Sequence, residues 1–202
     1  LNIRNVNPEE FLNGDFTESI LCRLDPWHYT RKKDGTEFSM DHFVAHPDQY
    51  ESIFKPYTKT ADLFIACHYW DPASPVLIQQ ADMQESDFSI KVIADVSCDI
   101  NGSIKSTIRA SSIDNPFYGY NPCTGTEFPS FAPGSITVMA VDNLPGELPR
   151  NSSEDFGRML MDRIIPALLE GDSRGIISRA TILKDGKLTP QYSYLRNYLK
   201  SP

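Results

Sequence analysis

The chain has 202 residues, with 19 Lys and Arg against 27 Asp and Glu, a formal charge of −8, a hydrophobic share of 40% and a charged share of 23%. That size and composition suit a globular chain with a full apolar core and exclude a mainly disordered one. Apolar runs such as Leu63–Ala66 and Ile136–Val141 fall far short of the roughly 20 residues of a bilayer-spanning helix. Arg31-Lys32-Lys33 is the one basic run, too small for a phosphate-backbone partner, so neither a membrane segment nor nucleic-acid binding is expected.

Residue 1 is Leu, without initiator Met or leader pattern, and the chain is expected to be cut from something longer. Ile3–Val6 reads as a strand running into Asn7-Pro8-Glu9-Glu10-Phe11, a turn and one helical turn. Ser19–Leu24 is a second strand, closed by Asp25-Pro26. From Asp41 to Tyr57, the apolar positions Phe43, Val44, Tyr50, Ile53, Phe54 and Tyr57 approach one helical face, broken at Pro47.

Leu63–Trp70 is a continuous run ended by Asp71-Pro72, the pattern of a strand buried on both faces. Gln79–Met83 predicts one or two helical turns, and Lys91–Cys98 repeats the buried-strand pattern. Between Gly102 and Phe131, short polar and aromatic pieces with Asn-Pro, Tyr-Gly and Thr-Gly turns predict a hairpin excursion. Ile136–Val141 returns to a buried strand. Ser152-x-x-Asp155 predicts the cap of a helix carrying Phe156, Met159, Leu160, Ile164, Ala167 and Leu168, kinked at Pro166 and stopped by Gly171. The tail, from Ile176 to Leu199, holds a strand-like piece, a Lys184-Asp185-Gly186-Lys187 turn and an aromatic segment.

Apolar strands separated by helices or crossover-length segments predict an α/β class: a doubly wound, mostly parallel sheet with helices on both faces, a β-hairpin excursion and a C-terminal segment. In such sheets ligands meet the carboxyl ends of the strands, here Asn7–Glu9, His68–Asp71, Ser97–Asp99 and Asp142–Pro145. No Gly-x-Gly-x-x-Gly phosphate loop occurs. Asp142 suits an anchor for a substrate amine or cofactor group, or a turn aspartate bonded to its own backbone. Ser97-Cys98-Asp99 is placed the same way. Cys98 has no histidine close in sequence to activate it as a nucleophile, and His68-Tyr69-Trp70 could stack on a ring or merely cap a strand. His28, His42 and His46 lack ligand spacing, so no metal site is expected. Cys22, Cys67 and Cys98 read as reduced, buried thiols in a cytoplasmic protein, and the sequons at Asn101 and Asn151 are discounted as chance.

Three stretches, Ala94–Ile104, Ala140–Arg150 and Ser153–Gly157, with Ala45–Tyr50 and Ala66–Trp70, resemble the C-terminal half of the saccharopine dehydrogenase and lysine–ketoglutarate reductase family, related in fold to alanine dehydrogenase and the soluble domain of transhydrogenase. The resemblance implies that residues 1–170 are the C-terminal part of an NAD(P)-binding Rossmann domain lacking its first strand and glycine loop. Residues 171–202 would return to a missing N-terminal substrate domain. By the same resemblance Asn7 and Glu9 lie where the adenosine ribose is held. Tyr69, Val96, Val141, Asp142, Asn143 and Leu144 line the cofactor, and Ser97, Cys98 and Asp99 face the substrate.

The chemistry implied is hydride transfer with nicotinamide, coupled to forming or hydrolysing a C=N bond between lysine and 2-oxoglutarate. Asp142 is auxiliary, because the Lys and His that serve as acid and base in the family lie upstream of this chain. The cofactor expected is NAD or NADP, with Glu9 and Glu10 leaning towards NAD. The partners expected are an amino acid, a keto acid and the N-terminal part of the same protein. An alanine dehydrogenase-like enzyme, or a non-catalytic binding module on the same half-sheet, are the alternatives.

Overall fold

A computed structural model describes residues 3–200. Leu1, on which the open start of the chain is read, lies outside them. The chain divides into two compact units between Leu144 and Pro145. Among the described residues no helix is long and apolar enough to cross a membrane.

In the first unit, β1 (Arg4–Val6) leads into α1 (Pro8–Asn13), whose N-cap Asn7 accepts a hydrogen bond from the Glu10 amide at 2.8 Å. β2 (Ile20–Cys22) pairs with β1 in parallel. After α2 (Pro26–Tyr29), β3 (Thr30–Lys32) pairs antiparallel with β4 (Tyr50–Ser52), with α3 (Met40–Ala45) between them. The broken helix expected over 41–57 is therefore corrected: a strand occupies its middle. Tyr50 is buried against Phe38 and Phe43, with ring centroids 5.5 and 4.9 Å away, and its backbone is taken by β3. Tertiary pairing overrides the helical spacing there. The short α4 (Lys55–Thr58) follows.

The main sheet has five strands in the order β5 (Leu63–Ala66), β6 (Val92–Asp95), β9 (Ile136–Met139), β7 (Phe117–Asn121), β8 (Thr126–Phe128). β5, β6 and β9 are parallel, while β7 and β8 form the predicted hairpin and join antiparallel to β9. This is a mixed α/β architecture consistent with a Rossmann-like sheet. Ile93 and Val138 are wholly buried and pair in register, with Ile78, Ile104, Tyr118 and Tyr120 around them. β5 departs from the expectation of burial on both faces: Leu63 and Ile65 are half exposed, because β5 is the edge strand. Only a 3-10 turn, Asp82–Gln84, forms where one or two helical turns are expected near Gln79–Met83. All four cysteines are free thiols, but Cys67 is exposed and Cys22 and Cys98 are half-buried, so burial is not their common feature.

In the second unit, α5 (Pro149–Met159) continues through a π-helical turn, Leu160–Ile164, into α6 (Ile165–Leu169). The wide turn falls just before Pro166, which has no N–H to continue the ladder. The predicted cap at Ser152 does not form: Pro149 starts the helix, and the Ser152 hydroxyl donates to the Pro145 carbonyl at 3.1 Å. α7 (Ile176–Ala180) leads to a hairpin of β10 (Leu183–Lys184) and β11 (Lys187–Leu188). Asp185 and Gly186 turn it at φ 51° and 73°, as a two-residue hairpin requires.

Candidate functional site

Because β5, β6 and β9 run parallel side by side, their carboxyl ends form one edge. The chain leaves them through Cys67–Trp70, Val96–Asp99 and Ala140–Asn143 respectively. A ligand lying across a parallel sheet meets such an edge.

Asp95, the last residue of β6, anchors this edge while only 1% exposed. One carboxylate oxygen accepts from the Ser97 hydroxyl at 2.6 Å and the Cys98 amide at 3.0 Å; the other accepts from the Thr107 hydroxyl at 2.6 Å. Three donors compensate a carboxylate that would otherwise be expensive to remove from water. The bond to its amide draws Cys98 back over Asp95, at φ 53°. A non-glycine residue held there costs roughly 1–3 kcal/mol, which the surrounding bonds offset.

From that position the Cys98 thiol donates to the Ala140 carbonyl at 3.2 Å, tying the β6 loop to β9. Burial, and then the charges of Asp95, Asp142 and Asp99, push this thiol's pKa up. It is a protonated donor at neutral pH, in surroundings opposite to those of a nucleophilic cysteine.

His68, at the end of β5, places Nε2 2.8 Å from the Ser103 hydroxyl and packs against the Tyr29 ring, with centroids 6.2 Å apart. Burial pulls its pKa down, against the charges of Asp95 and Asp99. Asp99 is pushed up by burial and then by Asp95, against His68. Burial thus favours the neutral form of both groups at this edge.

A buried loop supports these groups from below. Ser103, Ile104, Ser106 and Thr107 are all at most 1% exposed. The Ser103 carbonyl accepts from the amides of Leu77 and Ile78, and the Thr107 carbonyl accepts from the Asn101 amide at 2.8 Å. Gly102 admits no side chain: a Cβ there would stand 2.6 Å from the Asp99 Cβ and 3.2 Å from Trp70.

Of the residues singled out in the sequence, Ser97, Cys98 and Asp99 sit at this edge beside half-exposed Val96, and Tyr69 is 90% exposed at the end of β5. Val141 is buried and bridged to Ser111, which leaves Asp142 and Asn143 exposed and Leu144 half-buried at the end of β9. Asn7 and Glu9 belong to a second edge, that of the β1–β2 pair. There a groove of about 460 Å³ is lined by Asn5, Val6, Asn7, Pro8, Arg23, Asp25 and His28, and Glu9 lines an adjoining depression with Asn7 and Glu10. Among the described residues no group of three His, Cys, Asp or Glu side chains is arranged to hold a metal.

Asp95, Ser103 and Thr107 are the residues that sequence reasoning missed. The one visible signal was an acid closing the apolar run Val92-Ile93-Ala94. Its donors, two and twelve residues away, meet it only through the fold.

No family model matches the sequence. It is 31% identical to an alpha-aminoadipic semialdehyde synthase of Arabidopsis thaliana, over 94% of this chain and 19% of that protein. A mitochondrial alpha-aminoadipic semialdehyde synthase of Mus musculus is 28% identical over 86% of the chain and 22% of its own length. A saccharopine dehydrogenase [NAD(+), L-lysine-forming] of Emericella nidulans is 30% identical over 58% of the chain and 30% of its own length. The chain thus spans about a fifth of the length of the first two curated relatives.

Proposed function

We propose, for a chain that over its matched stretch belongs to the saccharopine dehydrogenase and lysine–ketoglutarate reductase family, that it forms the cofactor-facing part of an NAD(P)-dependent amino-acid dehydrogenase. The observation that carries this reading is the shared carboxyl edge of β5, β6 and β9, where His68 and Asp142 lie near the Ser97–Asp99 loop held by buried Asp95. A dinucleotide fits such an edge at its nicotinamide end, and the groove beside Asn7 has the volume and polar lining for a ribose. The 202 residues contain no glycine-rich phosphate loop, so the pyrophosphate would be held by residues outside this sequence.

When bound, the nicotinamide supplies a hydride carrier for oxidation or reduction at a C–N bond. Val96 presents apolar surface towards the reacting face, while buried Val141 holds the end of β9 in place beneath it. Ser97, through its backbone and hydroxyl, and Asp99 line the substrate side. Asp142 offers a carboxylate to a substrate ammonium. His68 holds its neutral form and can accept a proton at the site's edge. The substrate pair favoured is lysine and 2-oxoglutarate, joined through a C=N bond. NAD is favoured over NADP because Glu9 and Glu10 border the groove and the Arg23 guanidinium is already paired with Asp25 at 2.8 Å.

The test compares this chain alone with the intact protein that contains it, by following NADH and NADPH oxidation with lysine and 2-oxoglutarate. Turnover by the intact protein and none by the chain alone is the expected result. Full turnover by the chain alone would show that no essential part is missing, and no dinucleotide-dependent reaction in either would overturn the dehydrogenase reading.

A further inference from the structure

We propose that Asp95 is a positioning residue for the active edge: its buried carboxylate sets the shape of the Ser97–Asp99 loop and, through the loop at 101–107, ties that loop to His68. The role rests on the dehydrogenase reading above, but its geometry stands by itself. Asp95 has no cation partner among its hydrogen bonds; its partners are two hydroxyls and one amide. Two of them, Ser97 and Cys98, belong to the loop that follows β6. The third, Thr107, closes the buried loop whose Ser103 holds Nε2 of His68. One carboxylate therefore spans the ends of two neighbouring strands.

The conformation of Cys98 shows what Asp95 does. At φ 53° a residue with a side chain persists only where its surroundings over-determine it. Here the over-determining contacts are the Asp95 bond to its amide and the Ala140 carbonyl on its thiol. If both side-chain oxygens are removed, the amide loses its acceptor and Cys98 is free to leave the left-handed region. Asp99, the next residue, then turns away from the side on which His68 stands. Asp95 touches no reacting atom in this arrangement; it acts through Cys98, Asp99 and His68.

The experiment uses Asp95→Ala in the intact protein, which removes both acceptor oxygens where Asp95→Asn would keep the one shared by Ser97 and Cys98, and reads two quantities. The first is the alkylation rate of the Cys98 thiol, with exposed Cys123 in the β7–β8 turn as internal standard. A rise of about tenfold at Cys98 with none at Cys123 is expected. The second is a steady-state split, in which kcat falls at least tenfold while KM for the dinucleotide moves less than threefold. Asp95→Glu, which keeps the charge, should restore part of kcat. If Asp95→Ala does not fold, Ser97→Ala combined with Thr107→Val removes both hydroxyl donors and should raise Cys98 labelling several-fold. Labelling within twofold of wild type in a folded variant overturns the proposal. Wild-type protein without dinucleotide turnover overturns the dehydrogenase reading instead, and the labelling then still decides the role of Asp95.

Discussion

His68 Nε2 lies 2.8 Å from the Ser103 hydroxyl, joining the end of β5 to a buried loop 35 residues further along the chain. Burial lowers the pKa of this imidazole from its ordinary 6.5, so the folded state favours the neutral ring and the unfolded chain binds the proton more readily. The sign follows directly. The stability contributed by the neutral ring is whole above about pH 6.5 and is lost as pH falls through that value towards the lower folded-state pKa.

A melting series between pH 7.5 and 5 should accordingly show a falling Tm, and His68→Gln, which keeps a hydrogen-bonding end, should flatten it. Asp99 acts with the opposite sign but in a lower window: its raised pKa makes the fold the better proton binder near the ordinary carboxylate range. An unchanged slope in His68→Gln would assign the acid loss to other groups.

Tyr118 titrates at the other extreme. Its hydroxyl donates to the Ser106 carbonyl at 2.9 Å and accepts from the Ile108 amide at 3.1 Å, and burial pushes its pKa from 10.0 up to about 12. The neutral phenol is favoured by the fold, so stability holds below pH 10 and drains away between 10 and about 12. Tyr118→Phe should cost about 1 kcal/mol at pH 7, because the phenol's two bonds are lost while the Ile108 amide and the Ser106 carbonyl keep their bond to each other at 3.0 Å. Urea titrations at pH 7 and 11 check both parts, since the variant should lose less than wild type on going to high pH.

Gly119 is required by close approach. A Cβ at this position in β7 would stand 2.2 Å from the Pro129 carbonyl oxygen and 2.7 Å from that of Phe128. Both contacts are with backbone of the returning chain, so only a shift of β8 away from β7 relieves them. Gly119→Ala should destabilise the fold by about 2 kcal/mol, a typical overpacking cost, and should expose the β8 amides first. Hydrogen exchange across residues 117–128 measures this.

Asp142 is exposed at the end of β9, so its removal should leave stability nearly untouched. On the proposed dehydrogenase reading, Asp142→Asn in the intact protein should lower kcat/KM for the amino acid about tenfold, near 1.4 kcal/mol of transition-state stabilisation. Melting within about 2 °C of wild type, as expected of a surface substitution, separates this from a folding defect. Unchanged kcat/KM would remove Asp142 from the site.

The parallel strands and their order of appearance were legible in the sequence. Val92–Asp95 and Ile136–Met139 read as apolar runs because a strand covered by neighbours carries its burial in its own composition, and Leu63–Ala66 reads the same way although it is the half-exposed edge strand. The hairpin at Asp185-Gly186 was legible for a similar reason, since turn chemistry is local. The strand at Tyr50–Ser52 was not. Its identity comes from the partner it pairs with, and the apolar spacing of Phe43, Tyr50, Phe54 and Tyr57 imitates a helix face until the pairing of Tyr50 with β3 is seen.

The site divides along the same line. Composition and strand ends pointed to Ser97, Cys98, Asp99 and Asp142, because carboxyl termini of parallel strands can be counted off a sequence. In the sequence Asp95 is one residue inside the run Lys91–Cys98, and His68 could stack on a ring or merely cap a strand. What made them a unit is decided in three dimensions: Thr107 and Ser103 come from a loop whose burial depends on contacts with Leu77, Ile78 and Tyr118. A hydrogen-bond network among residues distant in sequence has no periodicity and no local propensity. Only the closed core brings its donors within 3 Å of one carboxylate, and that distance turns an isolated acid into the anchor of an edge.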